Sequence, residues 1–487
     1  MALSSVPLSC LFLLLLCLSS RPATAGRQSD ARGFISAVVT EKGLDFAKDL
    51  LVDQAVHTLV PLHLANMEKS FKIPLMGGIR VKMSNITLAH IEVSSSTIHP
   101  GDSGVVIEVT GAAANLSMDW SYAWSTWLGP FEISDGGRAS IQVKGMEVGF
   151  TVSMENQEGS LKMAVTDCGC HMEDILITLE GGASWFYQGL VNAFEDQIRA
   201  AVETAIKKKT IEGISKIDSL LQKLPKEVRV DDIVSMNVTF VGEPSSGNSS
   251  VEFDIDGLFT DAHKVVVSNL LHMNSEPSNL CEEPIPMLGI SLNEAVFNSA
   301  SIVYFEAGRM HWIVDKVPDQ SLLNTAGWRF IVPQLYKKYP NDDMKLNISL
   351  SSPPVIKISR KNIDASIFAD MTVNVLDGSE VVPVACISMV VTASGVPEIL
   401  GNNLAASIVL GDFTLNLKWS KIGNFHMHLI QGVMRVFLNN VFIPYVNTRL
   451  RRGFPLPIIH GFALQNASIL YSDSRIVVCT DLMFTEL

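Results

Sequence analysis

The chain alternates between stretches with a helical repeat of apolar positions and stretches with a two-residue repeat. Over residues 40–60, Leu44, Ala47, Leu51, Ala55 and Leu59 share one stripe, while Asp45, Lys48, Asp49 and Asp53 lie off it. That is the signature of an amphipathic helix, and Pro61 closes it. A strand-rich region follows to about residue 180. In its clearest segment, 139–154, Ile141 and Val143 occupy odd positions, and Met146, Val148, Phe150, Val152 and Met154 even ones. The phase slips at Lys144-Gly145, which predicts a bulge that bends the strand while keeping both halves facing one interior. A second helix is predicted over 185–224, with Leu190, Val191, Phe194, Ile198, Ala201 and Ala205 on its first stripe. Gly213 marks a break in it and Pro225 its end.

The second half repeats this order. Residues 320–339 read as a helix kinked at Pro333, and 426–452 as a last helix bent at Pro444. Between them, Ile363, Ile367, Met371, Val373 and Val375 alternate with mainly polar neighbours as a long strand, and Phe413, Leu415, Leu417 and Trp419 as another. Strands over 464–480 close the chain. Pro277, Pro284 and Pro286 mark a linker. The predicted division is a leader over 1–25, a domain over 26–260, a linker over 261–286 and a second domain over 287–487. A curved sheet with an apolar face must cover that face, and each half offers two amphipathic helices for the purpose. The result is either a tubular apolar cavity or a dry core, and the pattern admits both.

Composition narrows the class. Of 487 residues, 47% are apolar and 18% charged, which excludes a disordered or fibrous chain. There are 37 Lys and Arg against 50 Asp and Glu, a net charge of −13, and splitting the chain at residue 240 leaves two acidic halves. Nucleic-acid partners are therefore not expected, since they need clustered positive charge. The apolar run 8–18 followed by Ala23-Thr24-Ala25 predicts a secretory leader cut before Gly26, too short to anchor in a bilayer. Six glycosylation sequons begin at Asn85, Asn115, Asn237, Asn248, Asn347 and Asn466. Beyond the leader five cysteines remain, Cys168, Cys170, Cys281, Cys386 and Cys479. An odd set in an oxidising compartment allows up to two bridges and leaves the pairing open. The apolar stretch 426–446 contains Gln431, Arg435, Asn439 and Asn440, so no integral membrane segment is predicted. The expected product is secreted and extracellular.

Catalytic signatures are missing: no nucleophile elbow, zincin pair, phosphate loop or dinucleotide fingerprint occurs. His426-Met427-His428 has no partner ligand nearby in sequence, so no metal site is expected. Residues 119–131 carry Trp120, Tyr122, Trp124, Trp127 and Phe131. Either these belong to a strand pair with partly buried rings, or they form a loop tip that inserts indoles at a lipid interface.

Three segments carry a family resemblance: Lys42-Gly43-Leu44-Asp45-Phe46-Ala47, Asn298-Ser299-Ala300 with Tyr304-Phe305-Glu306-Ala307-Gly308, and Gly453-Phe454-Pro455-Leu456-Pro457. Their order and spacing resemble the bactericidal permeability-increasing protein and lipopolysaccharide-binding protein family, particularly its plant branch, over essentially the whole mature chain. The resemblance implies an α+β fold. Two tandem domains, each a rolled, strongly twisted antiparallel sheet with two long helices, would join through a central sheet into a boomerang. It implies a phospholipid as ligand in an apolar pocket of each half, and no other cofactor. In the first domain the pocket would be lined by Leu44, Ala47, Leu51, Ala55, Ile141, Val148, Phe150, Val152, Leu190, Phe194 and Ile198. In the second it would be lined by Ile363, Ile367, Met371, Val373, Leu415 and Leu417. Partners would be lipopolysaccharide, phospholipid and the bacterial outer-membrane surface, with an unknown receptor.

Two departures qualify the likeness. The family's lipopolysaccharide-binding members carry a basic cluster on the tip of the first domain, whereas residues 119–137 here contain no Lys or Arg. The contact is therefore expected to run through Trp120, Tyr122, Trp124 and Trp127. Those members also bridge a Cys before the long helix to one within it, and 185–224 contains no Cys. The expected function is a non-enzymatic, secreted lipid binder that recognises lipopolysaccharide in innate defence. The alternatives are an extracellular phospholipid carrier without an immune role and a hydrolase with a dispersed triad.

Overall fold

The computed structural model describes residues 32–73, 77–101, 104–125, 132–180, 192–247, 249–261, 281, 283–458 and 461–485. In chain order the elements begin with β1 (Ile35–Thr40), α1 (Glu41–Leu59), β2 (Leu62–His63), β3 (Met67–Ile73), β4 (Gly77–Glu92) and β5 (Ser95–Gly101). Next come β6 (Gly104–Ser125), β7 (Glu132–Gln157), β8 (Ser160–Glu180) and α2 (Glu195–Leu221). Five short strands follow: β9 (Glu227–Arg229), β10 (Val234–Asn237), β11 (Phe240–Ser246), β12 (Ser250–Ile255) and β13 (Phe259–Asp261). Then come β14 (Leu288–Asn293), α3 (Glu294–Glu306), β15 (His311–Val314), α4 (Pro333–Lys338), β16 (Asp343–Leu350) and β17 (Val355–Ile358). The long strands β18 (Ile363–Asp377), β19 (Glu380–Leu400) and β20 (Asn403–Ser420) lead to α5 (Met427–Phe437) and α6 (Ile443–Leu450). The chain closes with β21 (Phe454–Pro455), β22 (Phe462–Ser472) and β23 (Arg475–Phe484).

Packing divides the chain into two units, one formed by 39–224 with 243–253, the other by 30–38, 225–242 and 254–487. This differs from the expected boundaries at 260 and 287. Residues 225–242 and 254–260 join the second unit because β10 and β13 pack on α3: Phe259 N–H donates to Ser299 Oγ at 3.0 Å, and Tyr304 Oη to Asp231 Oδ2 at 2.5 Å. Much of the expected linker lies outside the described residues.

In the first unit, α1 starts where the Thr40 side chain accepts from Gly43 N–H, as an N-cap should. The sheet has seven strands in the order β2-β4-β6-β7-β8, with β3 added on β4 and β5 on β6. The predicted bulge is present. Val143 pairs with Ala114 but Met146 with Ala112, so β7 carries one extra residue, and Gly145 takes φ +61°. Ile141, Val143 and Met146 are all buried across the slip. Phe194, Ile198, Val202 and Ile206 bring α2 onto this inner face. The helix runs unbroken through Gly213. Its predicted start at 185 lies outside the described residues.

The second unit repeats the scheme with a seven-stranded sheet ordered β15-β16-β18-β19-β20-β21 and β17 on β18. Beside it β14, β23 and β22 pair antiparallel, with Cys281 bridged to Cys479. The helix expected over 320–339 is instead two 3-10 turns, Gln320–Leu323 and Thr325–Trp328, followed by α4. Asp319 and Asn324 cap the turns through Ser321 and Ala326 N–H, and Pro333 sits in the first turn of α4, where no donor is needed. The sequence pattern missed α3 altogether; its residues are apolar or small around most of the circumference.

The last helix, expected to bend at Pro444, consists of α-helical pieces joined by a π-helical turn over Leu438–Phe442 just before that residue. By length and composition alone Met427–Leu450 could cross a membrane, a test that the core helix of a folded domain also passes. Here Ile430, Met434, Phe437 and Leu438 are buried in the second unit's core. Asn447 locks the helix to β20 by accepting from Ile408 N–H at 2.7 Å and donating to its carbonyl at 3.0 Å.

Candidate functional site

In the first unit an open groove runs between α1 and the turn from β4 to β5. It measures about 500 Å³ and is lined by Lys48, Asp49, Val52, Asp53, Val56, Ile91, Val93 and Ser94 to Ser96, within the size range of small-ligand sites. Helical spacing places Lys48, Val52 and Val56 above one another, and the turn supplies the opposite wall. Val56 and Val93 pack against the buried cluster that includes Ile91, so the groove floor is continuous with the unit's core.

Charge at the rim is largely spent. Lys48 is buried, and its Nζ lies 3.2 Å from both Asp45 and Asp49 and donates to the Ser96 carbonyl at 3.0 Å. Burial pushes this ammonium's pKa down, but the two carboxylates outweigh it and hold it above the ordinary lysine value. Asp53 faces His57 at 3.8 Å on the exposed side. The groove therefore offers aliphatic side chains from both walls, a serine-rich edge and a slightly acidic rim.

The residues predicted for the first pocket are divided by the structure. Leu44, Ala47, Ile141, Val152, Phe194 and Ile198 are buried, while Leu51, Val148 and Phe150 are half-buried. Ile141, Phe194 and Ile198 meet in one cluster, with Val148 packed on it. Ala55 is exposed. The buried stripe of α1 drifts to Val56 and Leu59, because the helix repeat of 3.6 residues carries the contact line around the helix. Leu190 lies outside the described residues. Val52, Val56, Ile91 and Val93 were missed; the i, i+4 pair of valines on α1 was the available signal.

In the second unit Ile367, Met371 and Leu415 lie in one buried cluster with Val373 and Leu417 packed on it. Ile363 belongs to a separate cluster with Ile358 and Ile476, since it lies at the far end of β18. The cavity here is small, about 40 Å³, and its walls include Met371, Val373, Trp328, Val332, Leu335 and Phe425. That is room for little more than a water molecule, not for an acyl chain without movement of the walls.

For Trp120, Tyr122 and Trp124 the lipid-inserting tip is overturned. Trp120 and Tyr122 are 2% and 7% exposed and belong to the first unit's core, with Trp124 packed on it. They occupy alternate positions of β6, so all three share the inner face. Trp120 Nε1 donates to the Arg138 carbonyl at 3.1 Å, and its ring stacks near Tyr122, satisfying the indole inside the protein. Trp127 lies outside the described residues.

Other side chains fall into place more simply. Cys168, Cys170 and Cys386 are free thiols; burial first, then the Glu203 charge, pushes Cys170 up to about 12, so it stays protonated and unreactive. Asn85, Asn115 and Asn466 are exposed, Asn237 and Asn347 are half-buried, and Asn248 lies outside the described residues. Among the described residues, no three His, Cys, Asp or Glu side chains gather into a group that could hold a metal ion.

Comparison with known proteins agrees with this architecture. The model of the LBP / BPI / CETP family N-terminal domain matches residues 43–224, and that of its C-terminal domain residues 228–484. A BPI/LBP family protein of Arabidopsis thaliana is 53% identical over 453 residues, covering 93% of each chain. The lipopolysaccharide-binding protein of Homo sapiens is 25% identical over 94% of each chain. A bactericidal permeability-increasing protein of Sebastes schlegelii is 23% identical over 92% of this chain and 94% of its own. A crystal structure of lipopolysaccharide binding protein superposes with a TM-score of 0.65 at 19% identity, covering 94% of this chain and all of the other. With both domain models matched in order and a relative more than half identical across nearly its full length, this chain belongs to the LBP/BPI/CETP family and has its tandem α+β fold.

Proposed function

We propose that the protein is a non-enzymatic, secreted lipid binder that takes an acyl chain of lipopolysaccharide or phospholipid into the groove beside α1 and acts in defence at the bacterial outer-membrane surface. The observation that carries this reading is the groove itself: about 500 Å³, lined by Val52, Val56, Ile91 and Val93, three of which pack in or against the unit's core. The names of the human and fish relatives support lipopolysaccharide as the ligand class. The apolar leader before Gly26 and the exposed sequons at Asn85, Asn115 and Asn466 support secretion and glycosylation.

A second reading, a phospholipid carrier without an immune role, is favoured by one feature. Asp45, Asp49 and Asp53 outnumber Lys48 at the rim, which repels lipid A phosphates and suits a zwitterionic headgroup. Mass spectrometry of lipids extracted from the purified protein tests both readings. The wild type should carry or take up acyl lipid, and Val56→Glu should lose most of it while keeping its circular dichroism, because an unpaired carboxylate on the groove floor disfavours hydrocarbon. Displacement of the bound lipid by added lipopolysaccharide supports the defence reading; its failure supports the carrier. An unchanged lipid load in Val56→Glu would remove the groove from the function.

A further inference from the structure

Phe330 is 80% exposed, far more than any other large apolar side chain described, the next being Val409 at 59%. It is not a loose ring. Thr325, fully buried, exchanges hydrogen bonds with Asp342: its N–H donates to the Asp342 carbonyl at 2.9 Å, and Asp342 N–H donates to its hydroxyl at 3.0 Å. Trp328 Nε1 donates to the Leu322 carbonyl at 2.9 Å, and the Trp328 carbonyl accepts from Ile331 and Val332 N–H at 2.9 and 2.7 Å. The backbone on both sides of Phe330 is therefore pinned, with Trp328, Val332 and Leu335 pointing into the second unit's apolar cavity and Phe330 pointing away from it.

The charge of this segment is distinctive. Residues 320–338 contain Arg329, Lys337 and Lys338 and no Asp or Glu, in a chain of net charge −13. All three cations are exposed, and among the described residues none is ion-paired. The Arg329 guanidinium lies 4.6 Å over the Phe330 ring. The nearest acids in sequence are Asp319, which accepts from Ser321, and Asp342 and Asp343, of which Asp343 accepts from Asn324.

We propose that this segment is a bilayer-docking site, with Phe330 inserting among the headgroups of an anionic phospholipid membrane and Arg329, Lys337 and Lys338 lying against the phosphates. An exposed aromatic flanked by unpaired cations is the chemistry an anionic interface recognises. The position has a use if the protein is a lipid binder, since the inner face of the same segment walls the apolar cavity. A docked bilayer would then lie one thickness of backbone from that interior. Docking itself does not require the groove beside α1.

Sedimentation of the full-length protein with vesicles tests the proposal. Phosphatidylcholine vesicles containing phosphatidylglycerol should bind the wild type, and pure phosphatidylcholine much less. Phe330→Asp should weaken binding at least about tenfold, and the triple variant Arg329→Ala, Lys337→Ala, Lys338→Ala by more, since each cation near an anionic surface contributes roughly a fivefold change in partition. These side chains are exposed, so folding should be unaffected, which circular dichroism checks. In Phe330→Trp, brominated phospholipid should quench fluorescence beyond the wild-type level if the ring inserts. Binding by Phe330→Asp equal to wild type overturns the proposal, as does a wild type that ignores anionic vesicles or binds only lipopolysaccharide aggregates. Lipid extracted from the same wild-type preparation reports separately on the lipid-binding reading, so either idea can fail alone.

Discussion

Tyr304 donates to Asp231 at 2.5 Å, and the same carboxylate accepts from Ile233 and Val234 N–H. Burial pushes the Asp231 carboxyl up, but the Tyr304 hydroxyl, the two N–H groups and the Arg309 charge outweigh it and hold it below the ordinary value of 3.8. Tyr304 is pushed the other way, first by burial and then by this carboxylate, so it remains the donor at any physiological pH. A carboxylate with a depressed folded pKa adds stability above its unfolded pKa and loses it as pH falls through the folded value. Tyr304→Phe should therefore cost about 1 kcal/mol at neutral pH, the low end for a charged acceptor because the pair is partly solvated. The cost should shrink as pH falls through this depressed value and the carboxylate is protonated. Denaturant titrations of both proteins at neutral and acid pH would check it, and a pH-independent difference would mean that only packing was lost.

Two glycines within regular elements predict opposite outcomes. Gly145 takes φ +61° at the bulge of β7, where a side chain costs about 1–2 kcal/mol, and an added Cβ would press on the Glu173 carboxylate. Gly145→Ala should destabilise by that amount. Gly213 sits inside α2 with open space around its Cβ position, so Gly213→Ala should stabilise by roughly 0.5–1 kcal/mol. Thermal melts of the two variants against wild type would settle both signs. The same elements show what the sequence makes legible. The bulge could be read because buried positions on both sides of Gly145 must face one interior, and the phase slip records that demand. The break at Gly213 could not, because packing of Val202, Ile206, Ile214 and Ile217 overrides the local propensity. The helix expected over 320–339 failed for the converse reason: apolar spacing does not register Asp319 and Asn324 competing for backbone N–H groups. The groove was not legible: none of the residues predicted for the first pocket lines it, and the wall supplied by Ile91, Val93 and Ser94 to Ser96 depends on a contact between distant segments. Leu44 and Ala47 are buried, as the inward stripe of α1 predicts. The tryptophans of β6 were misassigned as a tip because alternation alone does not say which face is inward.

At the scale of the whole chain, the repetition read from the order of elements reappears as two seven-stranded sheets, each carrying three long consecutive strands, β6 to β8 and β18 to β20. Covalent support is not shared equally. The one described disulfide, Cys281–Cys479, spans 198 residues and lies wholly in the second unit. It ties the segment before β14 to the middle of β23, beside the pair Gly289 and Cys479. The first unit has Cys168 and Cys170 as free thiols and is held by its apolar core. Closing a loop of 198 residues removes on the order of 5 kcal/mol of unfolded-chain entropy, while native bridges typically contribute roughly 2–5 kcal/mol. Cys281→Ser with Cys479→Ser should therefore lower the second unit's stability by a few kcal/mol. Hydrogen exchange should speed up in β14 and β23 and stay unchanged in β6 to β8. Groove lipid in the first unit should be retained, because no groove residue belongs to the bridged segment. Loss of that lipid together with faster exchange in β6 to β8 would show that the bridge supports the groove as well, and that the first unit's core does not suffice to hold it.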